Sequence, residues 1–144
     1  MIYNDLVAPT PSEVVADTAP FWRRAAQEEL VLPQCDECAT LIWYPRPFCP
    51  ECGSTSTSWI VASGNATLYS FTVVRAAPHA AYKDAGQYVL AYVTLAEGPT
   101  IMTNVVAADP DDLEIGQELS AVFCPVPDTD YGLVRFRPAH GGEH

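Results

Sequence analysis

Gln34-Cys35-Asp36-Glu37-Cys38-Ala39 and Phe48-Cys49-Pro50-Glu51-Cys52-Gly53 are the two stretches that decide how this chain folds. The four cysteines follow the pattern C-x2-C-x10-C-x2-C. A two-residue spacer lets one tight backbone turn aim two thiolates at a common ion. The ten-residue gap gives the chain room to bring the second pair opposite the first. This is the ligand set of a closed tetrahedral zinc site, with no position left for water, so it predicts a structural metal and no catalytic one. A rubredoxin-like iron centre uses the same four ligands, and Cys49-Pro50-Glu51-Cys52-Gly53 resembles a rubredoxin knuckle, so iron stays open at this point. Paired disulfides are the weaker alternative, because residues 1–17 lack the basic stretch and apolar run of an export signal. Cys124 stands apart in an apolar run and reads as a small buried hydrophobe.

Charge narrows the function further. Of 144 residues, seven are basic and eighteen acidic, giving a net charge of −11. A four-cysteine ribbon often accompanies nucleic-acid binding, but that binding rests on Lys and Arg neutralising phosphates. Lys83 is the only lysine, so a single-stranded nucleic-acid module is the alternative reading and not the leading one. No apolar run approaches the roughly 20 residues that cross a bilayer. The expectation is a cytoplasmic protein that binds neither membrane nor nucleic acid.

Outward from the cysteines, the chain divides into four parts. Residues 1–17 read as an extended arm. Residues 18–60 carry a helix and the ribbon: Asp17 or Thr18 caps a helix with Pro20 in its first turn, running to about Glu29 with Trp22, Ala25, Ala26 and Leu30 on one face. Within the ribbon, Leu41 to Tyr44 is expected to form one side of a hairpin, and Ser54 to Ser58 an exit loop. From residue 61 to 138 the pattern is that of strands. Tyr69, Phe71 and Val73 alternate with polar residues, Tyr88 to Leu95 is apolar on both faces, and Leu119, Ala121 and Phe123 alternate again. Val134 and Phe136 are expected to point inward, with Arg135 and Arg137 outward. Five or six strands without an intervening helix predict a small closed barrel. Residues 139–144 read as a mobile tail. The fold class is therefore mainly β: an N-terminal helix, a rubredoxin-like ribbon, then a small barrel.

Phe21 and Trp22 load a short helix with two very large side chains. They either pack on their own domain or dock on a partner. The break from Ala76 to Gly86 holds His79, a candidate base, although a lone loop histidine is more often simply solvated.

The order Phe21-Trp22, Gln34-Cys35, Pro45-Arg46 before Cys49-Pro50, Ser63-Gly64, Tyr69-Ser70-Phe71-Thr72-Val73-Val74 and Leu113-Glu114-Ile115-Gly116 resembles a known family. These are zinc-ribbon plus OB-fold proteins that accompany thiolase-like enzymes of acyl-CoA metabolism. The resemblance implies an accessory subunit, not an enzyme on its own, whose partner is a thiolase or an acyl-CoA retro-aldolase of steroid side-chain degradation. It implies a heterotetramer, since thiolase-like enzymes are dimers, and a share in the channel for the CoA thioester. In this reading Cys35, Cys38, Cys49 and Cys52 hold Zn2+, Phe21 and Trp22 meet the partner, and Arg75 and Lys83 approach the CoA phosphates. Two positions depart from the family pattern. Ala39 follows Cys38 where glycine is usual, and Asn65-Ala66 follows Ser63-Gly64 where a second glycine is common.

Overall fold

The computed structural model describes residues 16–74, 87–126 and 128–139. Most of the expected arm, the 76–86 loop, Arg75, Lys83 and all three histidines lie outside them.

The helix, α1, spans Ala19–Ala25, with Thr18 at its N-cap and Pro20 in the first turn. It stops four residues short of the expected end. The chain turns instead through residues 26–28, with Glu28 at a φ of 62°, and the Glu28 and Glu29 N–H groups return to the carbonyls of Ala25 and Arg24. An ion pair from Arg24 Nε to Glu29 Oε1 at 2.6 Å closes the turn. The early stop changes the buried face to Ala19, Phe21 and Ala25. Ala26 is exposed, and Leu30 is buried on the approach to the next strand.

β1 (Val31–Cys35) pairs antiparallel with β2 (Thr57–Val61), from Val31 opposite Val61 to Cys35 opposite Thr57. This corrects the expected hairpin. Leu41 makes a single bridge to Gln34, and the Ile42 N–H reaches the Pro33 carbonyl at 2.8 Å. Pro45 and Pro47 lack the N–H donors a ladder needs. Thr57, Ile60 and Val61 are β-branched, so the second strand takes the last two residues of the expected exit loop, Thr57 and Ser58, and residues 54–56 remain outside it.

Five further strands close a barrel in the order β3-β4-β5-β7-β6: β3 (Asn65–Val74), β4 (Tyr88–Leu95), β5 (Thr100–Val105), β6 (Glu118–Pro125) and β7 (Gly132–Pro138). All neighbours run antiparallel except β5 and β7, which meet in parallel at Val105 and Phe136. This is the small closed barrel that the strand count predicted, in the OB-like form that the resemblance implied. Its interior is filled by side chains such as Val93, Val105, Leu119 and Phe136, each at most 1% exposed.

Two details of the pattern differ from expectation. Tyr69 faces solvent, 64% exposed, on the same side as Asn65 and Thr67, and the register slip between Leu68 and Ser70 separates it from Phe71 on the inner side. A bulge inserts one residue and resets the alternation behind it. The Leu68 N–H and carbonyl, just before the bulge, are taken by Gln117 and Gly116. Arg135 is buried, not outward; its Nη1 donates to the Val134 carbonyl at 3.1 Å. Gly132 through Phe136 are all buried, since α1 lies against this strand. The approach is close. A Cβ on Gly132 would sit 2.6 Å from the Ala26 nitrogen and 2.8 Å from the Ala25 carbonyl carbon. Only glycine admits the helix end there.

Candidate metal centre

Each cysteine pair sits on the same backbone device. In the first, the Ala39 N–H donates to the Cys35 carbonyl at 3.0 Å, and the Cys35 N–H to the Thr40 carbonyl at 2.9 Å. In the second, Gly53 donates to Cys49 and Cys49 to Ser54, both at 2.8 Å. The residue after each second cysteine must turn left-handed: Ala39 has a φ of 64° and Gly53 a φ of 79°. Glycine takes that conformation freely and alanine pays roughly 1 kcal/mol or more for it. The first knuckle therefore carries a strain that the second does not.

The four Sγ atoms lie within 4.8 Å of one another. Cys35 and Cys52 are 3.5 Å apart across the site, as are Cys38 and Cys49. Four ligands at a Zn–S distance near 2.3 Å in a tetrahedron stand about 3.8 Å apart, so the set fits the ion. Cys35 and Cys49 are buried and Cys38 and Cys52 exposed, with Ile42 packed against the inner pair. The sulfurs pull one another's proton affinities apart. The Thr40 hydroxyl and N–H stabilise the Cys38 thiolate and hold it down at about 6. Cys52 goes the other way, up to about 12: the Ser54 N–H favours its thiolate, but the Cys35 sulfur, desolvation and the other two sulfurs outweigh that. A divalent cation resolves the conflict by favouring all four thiolates together. Outside the sulfurs, Asp36 accepts hydrogen bonds from Ser56 and Ser58 at 2.8 and 2.7 Å. These contacts tie the first knuckle to β2 and hold the Asp36 carboxyl below its ordinary range. Among the described residues no other cluster of three or more His, Cys, Asp or Glu side chains is placed to hold a metal.

Residues 22–58 match the family described as ChsH2, rubredoxin-like zinc ribbon domain, and residues 59–124 that described as ChsH2, C-terminal OB-fold domain. A DUF35 domain-containing scaffold protein of Methanothermobacter thermautotrophicus is 32% identical over 112 residues, covering 76% of this chain and 84% of that one. The chain belongs to the ChsH2/DUF35 family. Its metal is structural zinc, and Cys35, Cys38, Cys49 and Cys52 are the cluster placed to hold it. A probable enoyl-CoA hydratase alpha subunit of Thermomonospora curvata is 39% identical over 120 residues. Those residues are 83% of this chain but 37% of that protein, so the chain spans little more than a third of that relative. Among solved structures, a chain described as Ltp2-ChsH2(DUF35) aldolase superposes with a TM-score of 0.79 at 36% identity, over 90% of this chain and 99% of that one. A second family member of Sulfolobus solfataricus, at 13% identity and a TM-score of 0.58, shares the fold.

Of the partner-facing aromatics, Phe21 is 7% exposed and belongs to the main core. Its ring meets Trp22 edge-on at 4.9 Å and Trp43 of the ribbon at 5.5 Å. Trp22 is half-buried between the main core and a small cluster of Val126 and Leu133. Most of the surface expected to meet a partner is thus spent inside the chain, joining helix, ribbon and barrel. What the sequence pattern missed is the outer surface. Ribbon and barrel enclose a cleft of about 470 Å³ lined by Ala39, Leu41, Trp43, Glu97, Gly98, Pro99 and Thr100. Tyr92 and Met102, opposite one another on β4 and β5, are 48% and 57% exposed. Their even positions along strands whose odd residues fill the core were the available signal. No helix among the described residues is long and apolar enough to cross a membrane.

Proposed function

We propose that this chain is a non-catalytic accessory subunit that binds and stabilises a thiolase-superfamily enzyme acting on a CoA thioester. The observation that carries it is the superposition with a chain of an Ltp2-ChsH2(DUF35) aldolase over 99% of that chain's length. The chain therefore has every element that the aldolase-associated chain has. The chemistry of its own site agrees: four thiolates saturate zinc and leave no coordination position for a substrate. The hydratase alpha subunit is far longer than the matched segment, so hydration is not carried over. The partner's reaction is thiolysis or the retro-aldol cleavage of an acyl-CoA, with steroid side-chain thioesters as one substrate class to test. The assembly is two plus two, built on an enzyme dimer. Trp22 contributes its exposed part to contact, with Phe21 supporting it from beneath. Arg75 and Lys83 are proposed to face the CoA phosphates.

The test is reconstitution. The tagged chain is purified from its host, and co-eluting enzymes are identified by mass spectrometry and assayed with and without it. A thiolase-superfamily enzyme that loses activity or stability without the chain supports the proposal. Recovery of no such enzyme, and no effect on any, overturns it.

A further inference from the structure

The outer face of β3, β4 and β5 is unlike the rest of this acidic molecule. Cross-strand pairing sets Ser70, Tyr92 and Met102 in one row, with Thr67, Thr94 and Thr100 in the next. The bulge adds Tyr69 beside Tyr92, and the following row is Thr72 and Leu90, ending at Asn104, which is buried with its amide donating to the Val89 carbonyl. None of these side chains is charged at neutral pH, in a chain of eighteen acidic and seven basic residues. Tyr69, Tyr92 and Met102 are 64, 48 and 57% exposed. At the lower edge Thr94 and Thr100 share a hydroxyl hydrogen bond of 3.0 Å, and Thr100 also lines the cleft shared with Leu41 and Trp43. The uncharged rows thus run from the bulge across the barrel to the rim of that cleft, where Glu97 adds a carboxylate.

We infer that this face is the docking surface for the partner enzyme, which meets it with an apolar patch rimmed by basic residues. Charge selects the occupant. A nucleic acid strand stacks on such aromatics only when Lys or Arg neutralises its phosphates, and these rows hold neither. An anionic membrane has the same requirement. A second copy would bring two chains of net charge −11 together, against their mutual repulsion. A heterologous protein with an apolar centre and a basic rim satisfies both the neutral face and its acidic surroundings. Two tyrosines and a methionine are the side chains that such contacts enrich. The bulge has a part here: it sets two residues, Tyr69 and Ser70, against the single Tyr92, so both stand on the outer face.

The inference rests on the proposed partnership, and one experiment separates them. The purified enzyme identified in the reconstitution is titrated, in low and moderate salt, with the unmodified chain and with Tyr92→Glu, Met102→Glu and Val61→Glu. Val61 is 55% exposed at the end of β2, in a recess with Ser120 and Phe123 of β6 and none of the residues of these rows, and serves as control. Zinc content and melting temperature establish that each variant is folded. Tyr92→Glu and Met102→Glu are expected to weaken binding at least roughly 30-fold, with Val61→Glu unchanged. Equal binding by all the folded variants overturns the docking face and leaves the partnership standing. Failure of the unmodified chain to bind overturns both. Sedimentation as a dimer that Tyr92→Glu dissolves, or low-salt retention of a single-stranded oligonucleotide that Tyr92→Glu abolishes, replaces the enzyme as occupant and overturns the inference.

Discussion

The ribbon and the barrel are both β structures joined by three residues, yet they are held together by opposite means. The barrel closes on itself, so every strand has two neighbours and the interior is filled with aliphatic and aromatic side chains. The ribbon has two short strands, a stretch of irregular chain with three prolines from residue 45 to 50, and a buried cluster of one isoleucine with two cysteines. Two strands with so small a core are marginal in water. Stability in the first region comes from area removed from water and in the second from four metal–sulfur bonds. The two should therefore fail separately, under different insults.

Removing the metal is expected to have the largest effect. Zinc contributes about 10–16 kcal/mol of apparent binding energy in small domains, far beyond what the ribbon's packing supplies. A strong chelator, or Cys49→Ser, should leave amides of residues 31–61 exchanging freely while those of β4 and β5 stay protected, as hydrogen exchange would read residue by residue. Loss of protection throughout would show that the barrel leans on the ribbon. Phe136→Ala is the mirror experiment. This ring is fully buried at the barrel centre, and its truncation should cost about 3–5 kcal/mol while one zinc per chain remains by elemental analysis. Gly132→Ala tests the joint between the regions. The new methyl meets helix backbone, and the helix must shift at a cost of about 1–3 kcal/mol, visible as a change in Trp22 fluorescence without loss of zinc. The smallest effect has the opposite sign. Ala39→Gly relieves the left-handed strain at the first knuckle but adds freedom to the unfolded chain, for a net gain of about 0.5 kcal/mol, measured as a higher denaturation midpoint of the ribbon.

The contrast also sets what could be learned from the chain alone. The metal site was legible because its specificity is written in spacing: four cysteines at those intervals leave few ways to be arranged. The barrel was legible because alternation is a local property of a strand. Where the inference slipped, the cause was a neighbour distant in sequence. Arg135 alternates correctly but is covered by α1, and a bulge beside contacts to residues 116 and 117 breaks the alternation between Tyr69 and Phe71. Phe21 was legible as a large apolar load, but the ribbon's Trp43 that it meets is 22 positions away. The left-handed backbone at Ala39 was legible only as a missing glycine after Cys38, and the φ of 64° shows why glycine is usual there.

The pairing of Val31 with Val61 has one more consequence. The chain leaves the main body and returns to it at the same point, so the thirty-one residues from Val31 to Val61 form a closed excursion from it. Mechanically this is a peg with a single footing. The tip between the knuckles can be lengthened, shortened or recoloured in charge without moving that footing, while any tilt of the base swings the tip as a lever. A small tilt at the Val31–Val61 pair would be magnified into a larger displacement at Phe48, an exposed aromatic between the knuckles.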